Sequence, residues 1–167
     1  MAQPRTRSPS RDSPRPPRRA ETGPSLTGLK SPDAPLYLDT SVALRATLER
    51  GTTREIEAHI AAAPALVTSR LSLVESARAI LRLRRQGGVA ESRLADARRE
   101  LDALWSRCEL WELSPAVCEL AAHVAPDHSL RALDALHLAT FLMARRRIEG
   151  LELLTADERL ANAATSA

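Results

Sequence analysis

The sequence predicts an α/β domain built on a parallel sheet, and three observations lead to that prediction. Four short apolar segments are typical of buried strands, and they alternate with longer segments whose apolar residues recur at helical spacing. Strands that alternate with helices favour a parallel sheet with helices on both faces. The chain of 167 residues is long enough to bury one core, so we expect a single folded domain.

The predicted elements follow from apolar patterning and from the residues that end each segment. Proline and glycine mark several boundaries, among them Pro64 and the Gly87-Gly88 pair. Thr52 and Glu55 have the spacing of a capping box, and Ser114 precedes a proline at a helix start. We expect strands at 36–38, 65–68, 109–113 and 151–155. We expect helices at 41–50, 52–63, 69–86, 90–107, 115–124, 130–147 and 157–164.

Two of these predicted helices have apolar stripes that we expect to face the core. In the helix over 69–86 the stripe consists of Leu71, Val74, Ala77 and Leu81. In the helix over 90–107 it consists of Leu94, Leu101, Leu104 and Trp105.

Residues 1–34 differ in composition from the rest of the chain. They are rich in Pro, Arg and Ser and carry a net charge of +4, whereas the remaining residues carry −1. This segment has too few apolar residues for their burial to offset the entropy lost on ordering. We therefore expect a disordered basic tail. Such a tail is either an inert leader, read from a start placed too far upstream, or an arm that contacts phosphates. The near-neutral body gives no argument from net charge for nucleic-acid binding.

Cysteine count and hydropathy exclude several classes of protein. Cys108 and Cys118 are too few for a disulfide framework, and no apolar run approaches the roughly 18 residues that a membrane span needs. The basic N-terminus lacks the apolar stretch of a secretion signal. We therefore expect a cytoplasmic protein that does not contact a membrane.

Four acidic residues stand where a parallel sheet would bring them to one edge. Asp39 and Asp157 directly follow predicted strands, and open α/β sheets bind their ligands at the carboxyl ends of strands. Glu75 and Asp134 lie in the early turns of predicted helices. Four carboxylates in apolar surroundings would repel one another and be costly to bury. A hard cation such as Mg²⁺ or Mn²⁺ would relieve that repulsion and could activate water against a phosphodiester.

Each acid taken alone also has a purely structural interpretation. Asp39 and Asp157 are residues that commonly cap helices. Glu75 could pair with Arg78 or Arg82 on its own helix. Asp134 has little polar company in its sequence neighbourhood except His137, which lies three residues on. The joint pattern of four acids therefore carries more weight than any one of them.

Four segments together resemble the PIN-domain family, and most of all the VapC-type toxins of bacterial toxin–antitoxin pairs. They are Leu-Tyr-Leu-Asp-Thr-Ser at 36–41, Ser-Leu-Val-Glu at 72–75, Leu-Arg-Ala-Leu-Asp-Ala-Leu-His-Leu-Ala-Thr at 130–140 and Leu-Leu-Thr-Ala-Asp-Glu-Arg-Leu at 153–160. The resemblance implies a PIN-like three-layer domain over residues 35–167, with a central parallel sheet of about four to five strands flanked by helices.

The resemblance also implies a function. It suggests an endoribonuclease toxin that needs Mg²⁺, with Mn²⁺ as a possible substitute, and that cuts RNA, forms a homodimer and is neutralised by a VapB-like antitoxin. The residues it assigns to catalysis and metal binding are Asp39, Glu75, Asp134 and Asp157, with Thr155 and Ser41 in support. His137 matches a position that packs and hydrogen-bonds rather than catalyses. The alternative is a PIN-like binding module that has lost its chemistry.

Overall fold

A computed structural model describes residues 33–49, 51 and 53–167. The predicted tail, residues 1–34, lies outside the described residues apart from Asp33 and Ala34, so its disorder stays a prediction. None of the described helices combines the length and the apolar character that crossing a membrane requires.

Four parallel strands form the central sheet of the described chain, in the order β3-β2-β1-β4. They are β1 (Leu36–Leu38), β2 (Leu66–Ser69), β3 (Cys108–Trp111) and β4 (Glu152–Leu154). Leu38 is in register with Thr68 on one side and with Leu154 on the other, so β1 lies inside the sheet. The predicted α/β class with a parallel sheet is confirmed.

Helices connect the strands and cover both faces of the sheet. They are α1 (Thr40–Leu48), α2 (Arg54–Ala62), α3 (Arg70–Gln86), α4 (Glu91–Trp105), α5 (Pro115–His123), α6 (Ala132–Arg145) and α7 (Glu158–Ser166). Side chains alternate along β1. Leu36 and Leu38 therefore pack into a core with α1 to α4, while Tyr37 packs with Leu138 of α6 and Leu160 of α7 on the opposite face. The result is the three-layer arrangement that the sequence predicts.

The apolar stripe predicted for α3 is wrong in part. Leu71 is buried, but Val74 is 58% exposed and Leu81 is 44% exposed. The buried face of α3 holds Ser72, Ser76, Ala79 and Ile80 in addition to Leu71. The stripe predicted for α4 is confirmed, because all four of its residues are buried.

Hydrogen bonding explains why serines occupy the buried face of α3. The hydroxyl of Ser72 lies 2.8 Å from that of Thr68, and the hydroxyl of Ser76 accepts a hydrogen bond of 3.3 Å from the indole of Trp105. A buried hydroxyl with a partner costs little, whereas one without a partner costs much more. A count of apolar residues alone misses such positions.

The predicted helix boundaries are met in part. Ser114 caps α5 by accepting a hydrogen bond from the backbone of Val117, with Pro115 at the first helical position. Thr52, the first residue of the predicted capping box, lies outside the described residues. Helix α2 begins after Thr53, whose side chain makes no capping hydrogen bond. Gly87 ends α3 with a φ of 71°, a backbone conformation that favours glycine.

Candidate active site

Asp39 stands at the junction between β1 and α1 and is held by four hydrogen bonds. Its Oδ1 accepts from the backbone of Ser41 (3.0 Å), the backbone of Val42 (3.2 Å) and the hydroxyl of Ser41 (2.7 Å). Its Oδ2 accepts from the hydroxyl of Thr155 at 2.8 Å. The side chain is buried, and that burial raises the pKa of the Asp39 carboxyl despite these donors. Asp39 is thus a helix cap and also a buried carboxylate that could bind a cation.

Two hydroxyls connect this junction to the one that follows β4. Ser41 Oγ, besides donating to Asp39, accepts a hydrogen bond of 2.9 Å from the backbone of Ala156. Thr155 Oγ1, besides donating to Asp39, accepts one of 3.0 Å from the backbone of Asp157. The two predicted supporting residues therefore fix the β1–α1 and β4–α7 junctions against each other around the Asp39 carboxylate.

Glu75 is oriented by a chain of hydrogen bonds that begins in the core. The hydroxyl of Tyr37 lies 3.0 Å from His137 Nδ1, and His137 Nε2 lies 2.8 Å from Glu75 Oε2. The hydroxyl of Thr40 donates to the same Glu75 oxygen at 2.5 Å. The interpretation of Glu75 as the partner of an arginine on its own helix is therefore not what the structure has.

These hydrogen bonds define the tautomer of a neutral His137 ring. An ionised carboxylate can only accept, so Nε2 of His137 carries the proton that it donates to Glu75. In a neutral ring Nδ1 is then an acceptor, and the Tyr37 hydroxyl donates to it. Burial raises the pKa of Tyr37, so the phenol keeps that proton. Partial burial opposes ionisation of Glu75, but the donors His137 and Thr40 outweigh it and lower the pKa of the Glu75 carboxyl.

The other two acids lie at the starts of α6 and α7. Asp134 Oδ2 accepts a hydrogen bond of 3.2 Å from the backbone of Arg131. Asp157 caps α7 by accepting from the backbone of Arg159 at 2.9 Å, and its Oδ2 pairs with the Arg159 guanidinium at 3.1 Å. Partial burial acts against ionisation of Asp157, yet the contacts to Arg159 lower the pKa of its carboxyl.

All four predicted acids line one pocket of about 210 Å³. The rest of its lining consists of Thr40, Ser41, Leu44, Ala79, Arg82 and His137. The edge of the sheet thus brings the predicted residues together, while their catalytic and metal-binding roles stay predictions. Across the part of the chain that the structure describes, no three Asp, Glu, His or Cys side chains are grouped closely enough to hold a metal ion as they stand.

Comparison with known proteins decides the family. The PIN domain family model matches residues 36–165, which is most of the chain. The chain belongs to the PIN-domain family. This PIN domain is also 36% identical, over 103 residues, to Ribonuclease VapC45 and Ribonuclease VapC49 from two strains of Mycobacterium tuberculosis. Those matches cover 62% of this chain and 70% of each relative. The resemblance to VapC-type proteins is therefore confirmed.

A solved structure supports the fold independently. PAE2754 from Pyrobaculum aerophilum superimposes with a TM-score of 0.55 at 21% identity, over 80% of this chain and 82% of that one. At this level of identity the likeness concerns the fold alone.

The residues of this PIN domain that could hold a cation are all oxygen donors. Carboxylates and hydroxyls are what Mg²⁺ and Mn²⁺ prefer. Asp39 is the most buried of the acids, and its described hydrogen bonds come from hydroxyls and amides rather than from a basic side chain. Burial raises the pKa of the Asp39 carboxyl by more than its hydrogen bonds and the nearby His137 lower it. The donor set therefore fits a hard divalent ion.

Three residues of the site are not among the functional residues that the sequence predicts. Tyr37 and Thr40 belong to the first motif. An aromatic residue in a short apolar strand and a hydroxyl at a helix start do not by themselves indicate a functional role. Arg82 lines the pocket although it belongs to an arginine-rich helix end that is typical of solvated surface. Its position seven residues after Glu75, two turns along the same face, is the signal that could have identified it.

Proposed function

We propose that this chain is a Mg²⁺-dependent endoribonuclease that hydrolyses RNA phosphodiester bonds and acts as the toxin of a VapBC-type toxin–antitoxin pair. The observation that carries the proposal is the single pocket lined by Asp39, Glu75, Asp134 and Asp157 in a chain of the PIN family. The names of the two mycobacterial relatives support RNA as the substrate class. The alternative is a binding module without chemistry. Such a module would not need all four acids, yet all four line the pocket.

In this proposal Asp39 and Asp134 contact the ion, and Glu75 and Asp157 complete its shell directly or through water. The ion would supply an activated water and would stabilise charge on the phosphodiester. Each carboxylate oxygen has two lone-pair sites. The Thr155 hydroxyl therefore leaves acceptor capacity on Asp39 Oδ2. At Asp157 a cation would compete with the guanidinium of Arg159.

The protein's own contribution to catalysis is to fix the orientation of the acidic side chains. Four hydrogen bonds fix Asp39, and the Tyr37–His137 pair fixes Glu75 from the core. Preorganised charges of this kind need no rearrangement during the reaction, which is where much of their catalytic value lies. A low pKa keeps Glu75 ionised at neutral pH, so it is available as a ligand rather than as a proton donor.

The test is cleavage of single-stranded RNA by the full chain and by matched Asp→Asn variants. Asp39→Asn and Asp134→Asn should each lower the cleavage rate by about a hundredfold or more, since a metal ion contributes several kcal/mol to the transition state. Asp127→Asn is the control, because Asp127 is an exposed loop residue outside the pocket. Full activity of either pocket variant, or of the parent in EDTA, would contradict the proposal.

The proposed antitoxin would inhibit through the same pocket. Arginine binds carboxylates in a bidentate manner, so an antitoxin arginine could enter the acidic pocket in place of the cation. We expect apolar residues beside it to dock between helices in the region of 41–60 and 69–83. A separate pocket of about 300 Å³ lies between α1, α2 and α4, with Ile60 and Leu104 in its lining, and it includes no residue of 69–83.

A titration tests this mode of inhibition. Replacing the antitoxin arginine should weaken inhibition of RNA cleavage more than it weakens association, because the apolar contacts would remain. Equal inhibition and binding by the arginine variant and its parent would mean that the toxin is blocked in another way. Size measurement of the free toxin tests the expected homodimer, and a monomer at all concentrations would exclude it.

A further inference from the structure

The second half of α3 is the most basic stretch of the described chain. Residues 76–86 contain four arginines and no acidic residue. Arg84 is paired with Glu91 of α4 at 2.5 Å. Arg78, Arg82 and Arg85 are exposed, and none of them forms an ion pair with any of the residues the structure describes. We call these three residues the arginine row.

The arginine row begins at the acidic pocket. Glu75, Ala79 and Arg82 all line that pocket, one helical turn apart on the same side of α3. Arg78 and Arg85 lie one turn to either side of Arg82, on the adjoining solvent-exposed surface. A positive strip therefore leads away from the four carboxylates along one helix.

We propose that the arginine row binds the phosphates of the single-stranded RNA whose scissile bond enters the acidic pocket. This inference rests on the proposed ribonuclease function. Four carboxylates repel a polyanion, so a substrate strand needs compensating positive charge close to the site. The body is near neutral overall, and the three arginines, which form no ion pair within the described part of the chain, supply that charge locally.

The dimensions of the row suit a nucleic-acid strand. Seven residues of helix span about 10 Å, and a stacked strand advances about 3.4 Å along its axis per nucleotide. The row therefore has the length of about three stacked nucleotides. Guanidinium groups bind phosphate oxygens in a bidentate manner. The described chain has four aromatic residues of the Phe, Tyr and Trp types, and none of them lines the pocket, so the row would hold the backbone rather than stack bases.

The variant that tests the row combines Arg78→Gln with Arg85→Gln, because neither residue lines the pocket. The control combines Arg54→Gln with Arg146→Gln, which removes the same charge from exposed positions away from α3. Cleavage is measured on a long single-stranded RNA that the parent cuts and on the same substrate trimmed close to the cut bond. Binding of the long RNA is measured separately by fluorescence anisotropy over a salt series, in proteins that also carry Asp39→Asn.

We expect the row variant to raise KM for the long RNA about tenfold, with kcat and cleavage of the trimmed RNA unchanged. The salt dependence of binding should weaken by about 1.4 in log K against log salt, since each lost phosphate contact of a single strand is worth about 0.7. The control variant should match the parent in all of these measurements.

Two results would overturn the inference. One is a row variant that binds and cuts long RNA as the parent does while the parent remains an active nuclease, which leaves the proposed function intact. The other is a row variant whose RNA binding is unchanged but whose molecular mass in solution differs from that of the parent. That result would mean that this face of α3, which also exposes Val74 and Leu81, forms a contact between copies of the chain. Row-dependent RNA binding by a parent that never cleaves would support the row and refute the ribonuclease proposal instead.

Discussion

Tyr37 is not among the predicted site residues, yet its hydroxyl is the first group in the series of hydrogen bonds that orients Glu75. Tyr37→Phe removes that hydroxyl and leaves the rest of the ring in place. Both Tyr37 and His137 are almost fully buried, at 0% and 3% exposure. In the variant, Nδ1 of His137 therefore loses its donor in a place that water does not readily reach.

The expected cost follows from that orphaned acceptor. Leaving a buried hydrogen-bonding group without a partner costs about 1–3 kcal/mol. We expect the free energy of unfolding in urea to fall by this amount. Cleavage should fall less than in His137→Leu, because Glu75 keeps both Thr40 and the Nε2 proton of His137 as donors.

A double-mutant cycle provides the control. In the His137→Leu background no imidazole remains to be orphaned, so Tyr37→Phe should cost much less there than in the parent. The coupling between the two positions is expected to be about 1–2 kcal/mol. If Tyr37→Phe destabilises both backgrounds equally, the loss comes from other contacts of the hydroxyl, such as those with Thr140 and Ser69, and the reasoning about the hydrogen bond to His137 is refuted.

Three more predictions concern Asp39, Ser76 and the tail. Asp39→Ala should be less stable than Asp39→Asn by about 0.5–2 kcal/mol in urea, because Asn is as good a helix cap as Asp and Ala is not; equal stability would mean that the cap contributes nothing. Ser76→Ala should cost about 1–3 kcal/mol by leaving the indole of Trp105 without its acceptor, and a neutral result would exclude that bond. Deleting residues 1–32 should preserve the turnover of a short RNA, and a large loss of kcat would place the tail in the site.

Much of the fold could be predicted because the relevant signals are local. Short apolar runs that end at Asp39 or near Asp157 mark strands, and the alternation with helices favours a parallel sheet. The same topology brings carboxyl ends of strands together, which is why four acids far apart in sequence share a pocket. The helix positions needed only periodicity and end signals such as Ser114.

The rest depends on contacts that no local signal encodes. Tyr37 meets His137 across 100 positions of sequence, and His137 meets Glu75 across 62. The buried face of α3 contains Ser72 and Ser76 because partners on β2 and α4 satisfy their hydroxyls. Hydrophobic periodicity predicts instead that Val74 and Leu81 are buried. That prediction is wrong because the hydrogen bonds of the two serines outweigh the apolar pattern.

Direct measurement of Mn²⁺ binding tests most closely the central claim that the acidic pocket holds a catalytic cation. The electron paramagnetic resonance signal of free Mn²⁺ reports binding without relying on cleavage, and RNA cleavage is followed in the same titration. We predict saturable binding by the parent and by Asp127→Asn, with cleavage rising in proportion to occupancy, and loss of both in Asp39→Asn and Asp134→Asn. Unchanged Mn²⁺ binding in the two pocket variants, or full cleavage before any ion is bound, would contradict the account.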